Sequence, residues 1–98
     1  MILNFKGEIK MQDNRVSYVI YVIGGVGGDY FEEFTTRNRR VGLFKKEQRK
    51  YVSCTDYESY VKVFLTKTAA QAVVDKILEE YPEITSAEVM HYVDAKLK

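Results

Sequence analysis

The stretch YVIYVIGGVGGDYFEE, residues 18–33, runs six apolar or aromatic residues into a segment with four glycines, and then into three acids. Tyr18 to Ile23 shows no polar alternation. It therefore reads as a strand covered on both faces, in the middle of a sheet. The glycines raise the question of function, because a glycine loop after a strand can hold a phosphate with its backbone N–H groups, a following helix N-terminus and a Lys or Arg. Gly24, Gly25, Gly27 and Gly28 match neither the G-x-G-x-x-G nor the P-loop pattern, and Asp29, Glu32 and Glu33 come next. A carboxylate ~6 Å from a phosphate charge costs about 3 kcal/mol at an effective dielectric near 20. Residues 24–28 thus read as a mobile loop where the chain needs positive φ, not as a phosphate cradle.

Working outward from the central strand, residues 2–11 alternate, with Leu3, Phe5, Ile9 and Met11 on one side and Asn4, Lys6, Glu8 and Lys10 on the other. Asp13-Asn14 suits a tight turn, which predicts an N-terminal β-hairpin onto Val16–Ile23. After the glycines, Asp29 and Glu32 carry capping-box spacing. Residues 29 onward read either as a short helix or as an irregular extended path. RKYVSCT, residues 49–55, and SYVKVFLT, residues 59–66, read as strands, the second with Val61, Val63 and Leu65 on one face.

The clearest local signal is a helix over residues 69–80. Thr68 and Gln71 form a capping box, and Ala70, Val73, Val74, Ile77, Leu78 and Tyr81 share one helical stripe that Pro82 ends. SAEVMHYVD, residues 86–94, then reads as a final strand, with a helix from Thr85 as the competing reading. Residues 60–94 so form a β-α-β unit. The expected fold is a single α+β domain over residues 1–98: a small sheet built on the hairpin, with one amphipathic helix on one face.

Composition narrows the function classes. The 98 residues are 46% hydrophobic and 30% charged, with one proline and no tryptophan, which fits a packed domain and not a disordered chain. The single cysteine, Cys54, cannot form an internal bridge, and the N-terminus MILNFKGE lacks signal-peptide features, so a cytoplasmic location is expected. The apolar run is far short of the ~20 residues of a membrane span. Cys54 and His91 are the only thiol and imidazole, with no local nucleophile signature and no metal-ligand spacing. Neither Glu32-Glu33 nor Glu79-Glu80 places two carboxylates on one face. The chain is expected to be no enzyme and to need no metal or cofactor.

Charge is distributed unevenly behind a net +1. Arg37, Arg39, Arg40, Lys45, Lys46, Arg49 and Lys50 stand against Glu47 alone, so residues 37–50 carry +6 (seven bases minus one acid). Asp75, Glu79, Glu80, Glu83 and Glu88 stand against Lys76, so residues 75–88 carry −4 (one base minus five acids). Opposed poles suggest a charged partner. The basic loop 37–50, interleaved with Phe44 and followed by Tyr51, holds the cations and aromatics that bind RNA or single-stranded DNA. Docking onto an acidic protein ranks slightly ahead of that, a solvated loop that keeps an edge strand soluble is the third reading, and the acidic pole of Glu79, Glu80, Glu83 and Glu88 is a second docking candidate. Eight tyrosines, which give rigid contact area, rank a protein partner first. The expectation is a small adaptor or inhibitor, of a size that suits accessory proteins of phages or mobile elements, with a nucleic-acid-binding module as the alternative.

Overall fold

A computed structural model describes residues 16–40, 42–43 and 46–98. The first strand of the expected hairpin, with its Asp13-Asn14 turn, lies outside the described residues. Within them, β1 (Tyr18–Ile23), β2 (Tyr30–Arg40) and β3 (Lys46–Thr55) precede the helix α1 (Lys67–Glu80), and β4 (Ser86–His91) and a 3-10 turn (Tyr92–Asp94) follow it. The four strands form one antiparallel sheet in the order β3-β2-β1-β4.

β1 is covered on both faces, as its composition requires. Ile20 and Val22 point into a core beneath α1, while Val19 points into a second core on the other face with Tyr30 and Val61. The C-terminal segment covers that second core. Ala95 and Leu97 pack on it, Lys96 N–H donates to Tyr30 Oη at 2.8 Å, and Lys98 N–H donates to the Asp56 carbonyl at 2.8 Å.

The helix forms where its periodicity places it, but its start differs. Thr66, not Thr68, is the N-cap, and its Oγ1 accepts from Ala69 N–H at 3.1 Å. Ala70, Val74, Ile77 and Tyr81 are buried, each large side chain contributing about 1.5–3 kcal/mol. Leu78, expected on the same stripe, is 48% exposed. The buried positions 70, 74, 77 and 81 follow one narrow line, and Leu78, one residue on from Ile77, is turned to the side of that line.

Three further expectations are corrected. Residues 30–40 are neither helical nor irregular but a strand, because Tyr30 is drawn into one core and Phe31 into the other, with a bulge between Phe31 and Glu33. The Asp29 N–H is itself capped by Asp56 Oδ1 at 2.9 Å. The strand expected over 59–66 shrinks to one bridge, in which Tyr18 and Phe64 exchange backbone hydrogen bonds of 2.8 Å. β2 already occupies that edge of β1 through Tyr21 and Tyr30, so Val63 and Leu65 are left exposed. With only the Phe64 bridge in place of a first strand, the expected β-α-β unit over 60–94 is not formed; what remains of it is α1 followed by β4, which pairs antiparallel with β1. Finally, within the expected basic loop, residues 37–40 and 46–50 are strand and form the outer half of the β2–β3 pairing.

The glycine loop earns its composition by close approach. Val26 N–H donates to the Val52 carbonyl at 3.0 Å and Cys54 N–H donates to the Val26 carbonyl at 2.7 Å, so the loop lies along the free edge of β3. Gly27 has φ +109°, and a Cβ there would sit 2.5 Å from the Cys54 carbonyl oxygen. A side chain at that position meets both backbone strain and backbone atoms.

Candidate functional site

The β2–β3 hairpin is a ribbon with two unlike halves. Its inner half is anchored: Phe31, Val52 and Cys54 are buried, Phe34 stacks on Tyr81 with centroids 5.4 Å apart, and Lys76 Nζ lies 4.7 Å from the Phe34 ring centroid. From the Thr36–Lys50 pair outward, every described side chain whose burial is defined is exposed, up to Leu43 at 81% near the tip. The outer half is an arm that packs on nothing else in the described fold.

The register sets what the arm presents. Arg37 is opposite Arg49, Asn38 opposite Gln48, Arg39 opposite Glu47, and Arg40 opposite Lys46. Strand alternation puts Thr36, Asn38, Gln48 and Lys50 on the face continuous with α1, and Arg37, Arg49 and Tyr51 on the other. Among the cations whose side chains are described, Lys50 is therefore on one face and Arg37 and Arg49 are on the other. Phe44 and Lys45, also in the expected binding set, lie outside the described residues.

At its base the arm has a shallow groove of ≈ 400 Å³, lined among the described residues by Val26, Arg37, Asn38, Arg49 and Tyr51, of which Arg37, Arg49 and Tyr51 are on the face away from α1. Arg37 lies over the Tyr51 ring, 5.6 Å from its centroid. Two arginines directly opposite on neighbouring strands repel by about half a kcal/mol when exposed. Neither is in an ion pair among the described residues. An anion seated between them would turn that repulsion into attraction. Val26 is placed at the rim by the glycine loop, so the loop supplies an apolar wall while arginine side chains supply the charge.

The acidic pole divides. Glu79 and Glu80 end α1, whose last turn holds no base, and Glu83 follows in the turn; all three are exposed. Glu88 is paired with Tyr21, on the sheet face opposite α1, since its neighbour Ala87 is the residue that packs in the core beneath the helix.

A second acidic group was not evident in the spacing. The pairing of Tyr30 with Thr55 brings Asp29 beside Asp56, and Glu58 follows, with its Oε2 accepting from Tyr92 Oη at 2.8 Å. Tyr57 and Tyr60 stand there 52% and 63% exposed, in an edge-to-face pair. Only the ladder joins these carboxylates, so separations of 27 residues in sequence carry no local signal.

The thiol and the imidazole are kept apart. Cys54 is on β3 and His91 on β4, the two outer strands of the sheet, and the His91 ring lies against that of Tyr18 at a tilt of 37° with centroids 5.1 Å apart. Three strand spacings put them on the order of 14 Å apart. Burial, with Asp29, Glu32 and Asp56 nearby, pushes the Cys54 thiol up to about 12. It is a core residue and a poor nucleophile at neutral pH.

Among the described residues, no group of three or more His, Cys, Asp or Glu could hold a metal ion, and no helix is long and apolar enough to cross a membrane. In comparisons with known proteins the chain matches no family model, no curated protein and no solved structure. What the arrangement can do must come from its own geometry.

Proposed function

We propose that this chain is a small non-enzymatic binding protein whose contact element is the β2–β3 arm, and that the arm binds nucleic acid. The observation that carries the reading is the arm itself: a two-stranded ribbon, exposed on both faces, with Arg37, Arg39, Arg40, Lys46, Arg49 and Lys50 along ten paired positions and one acid among them. An isolated two-stranded ribbon is marginal in water, so its outer half is maintained without the packing that stabilises the rest of the sheet. Apart from Glu47, the residues at these paired positions are Arg, Lys, Asn, Gln and Thr, the types that contact phosphates and base edges. Protein interfaces share the enrichment in Arg but are depleted in Lys, and their cores are more apolar than these paired positions. The free Cys54 thiol agrees with action in the reducing cytoplasm.

A second reading is favoured by a separate observation. Tyr57 and Tyr60 are exposed beside Asp56 and Glu58, which suits docking onto a basic protein surface by an adaptor or inhibitor.

The test is fluorescence anisotropy of labelled single-stranded RNA, single-stranded DNA and duplex DNA at ~50 and ~200 mM salt. The expected result is binding that weakens steeply with salt, as counterion release requires. Replacing Arg39, Arg40, Lys46 and Lys50 together with Gln should abolish it. Absence of binding at the lower salt would refute the nucleic-acid reading and leave the tyrosine end as the interface.

A further inference from the structure

We infer that the groove at the base of the arm is a nucleotide subsite, in which a phosphate seats between Arg37 and Arg49 and the attached base lies against Tyr51 and Val26. The inference rests on the proposed nucleic-acid reading and specifies it: the strand bound there is single, because a base can reach an aromatic side wall only when it is unpaired.

Three features of the groove converge on that ligand. The first is charge. Arg37 and Arg49 are register partners, so their side chains leave the ribbon side by side on one face, and among the described residues no ion pair neutralises either. A guanidinium pair of this kind is a fork for a phosphate, which accepts two hydrogen bonds from each planar donor set.

The second is the mixture of walls. Tyr51 is half-buried, follows Arg49 by two positions on the same face, and already carries the Arg37 guanidinium near its ring at 5.6 Å. Val26, 56% exposed, forms the other apolar wall. An inorganic anion would use the arginines and ignore these walls; a nucleotide uses both.

The third is size. A groove of ≈ 400 Å³ lies within the usual range of small-molecule sites. The glycine loop fixes its shape through the two backbone hydrogen bonds that hold Val26 against β3.

The experiment records ¹H–¹⁵N and aromatic ¹H–¹³C spectra, including arginine Nε, during titration with uridine monophosphate and separately with inorganic phosphate. The subsite predicts shifts at Val26, Arg37, Arg49 and Tyr51 with the nucleotide, and shifts confined to the arginines with phosphate. In the same samples, Tyr51→Ala should weaken binding of a labelled single-stranded 15-mer roughly tenfold while leaving its salt dependence unchanged, and Tyr51→Phe should restore it. Arg37→Gln with Arg49→Gln should reduce the salt slope by about 1.4.

Equal shifts from nucleotide and phosphate, or none from either, would overturn the subsite. Binding of the 15-mer that Tyr51→Ala leaves intact would overturn it too, while preserving the arm as a nucleic-acid contact. Failure of the wild-type protein to bind any nucleic acid at low salt would overturn both.

Discussion

Gly25 and Cys54 should behave as one packing unit. Gly25 has an ordinary φ, so the backbone would accept alanine. However, a methyl built there would overlap the Cys54 sulfur, with Cys54 Cβ and the Val52 carbonyl oxygen next at 3.4 Å. Gly25→Ala alone should therefore cost about 1–3 kcal/mol through overpacking. Cys54→Ala alone empties the space of the sulfur of a residue that is 3% exposed and should cost about 1–2 kcal/mol. In the double variant the new methyl occupies the volume the sulfur vacated, at ordinary contact distances from what remains. Losing a glycine also lowers the entropy of the unfolded chain by about 0.4–1 kcal/mol. The double variant should then lie within about 1 kcal/mol of wild type and be more stable than either single variant, a coupling of about 2–3 kcal/mol. Urea unfolding followed by tyrosine fluorescence and circular dichroism measures all four corners of the cycle. Gly27→Ala is the internal control. Its clash is with the Cys54 carbonyl at 2.5 Å and its φ is +109°, so removing the sulfur should not rescue it. Additive costs at Gly25 and Cys54 would refute the contact and with it the placement of the glycine loop against β3.

Helix capping separates two threonines: Thr66→Ala should cost about 1 kcal/mol in chemical denaturation and Thr68→Ala only a few tenths, the reverse of what the capping-box spacing suggests. The Cys54 thiol titrates at about 12 when folded and near 9 when unfolded, so its burial stabilises the fold fully below pH 9 and progressively less up to about pH 12. Stability measured across that window should fall, and fall less steeply in Cys54→Ala. In native hydrogen exchange, the amides of Val26 and Cys54, which make the two bonds between loop and β3, should be protected while those of Gly27 and Gly28 exchange fast. Uniformly fast exchange through residues 24–28 and at Cys54 would mean that the loop detaches.

The parts of the fold legible in the sequence are those where a local pattern coincides with burial. The unbroken run Tyr18–Ile23 points to a central strand, and the stripe of Ala70, Val73, Val74, Ile77, Leu78 and Tyr81 points to a helix on the sheet, of which all but the exposed Leu78 pack against the core. The segment 30–40 was illegible because its capping spacing, Asp29 with Glu32, is a local cue that loses to a distant one: Asp56 caps Asp29, and two separate cores capture Tyr30 and Phe31. Val61, Val63 and Leu65 alternate like a strand, yet the edge they would pair with is already taken. Edge occupancy is a property of the whole sheet, which no window of residues contains.

The candidate site shows the same division. Seven cations within 14 residues were visible at once as a charged pole, but a pole has no shape. Pairing β2 with β3 converts the run into a ribbon and fixes Arg37 opposite Arg49. The glycine loop, which lacks the signature of a phosphate cradle, enters the site only as the support of Val26. Glycines here act through what they allow the backbone to approach. Their four Cβ positions would each meet atoms of β3 or of the turn after α1. A substitution there should therefore reach the binding groove through the position of Val26 and not through lost contacts to a ligand. The consequence is specific: on the proposed reading, Gly27→Ala should weaken single-strand binding less than Tyr51→Ala at a temperature where both variants remain folded, and should leave the salt slope, to which Arg37 and Arg49 contribute, unchanged, because the loop contributes a wall and no charge.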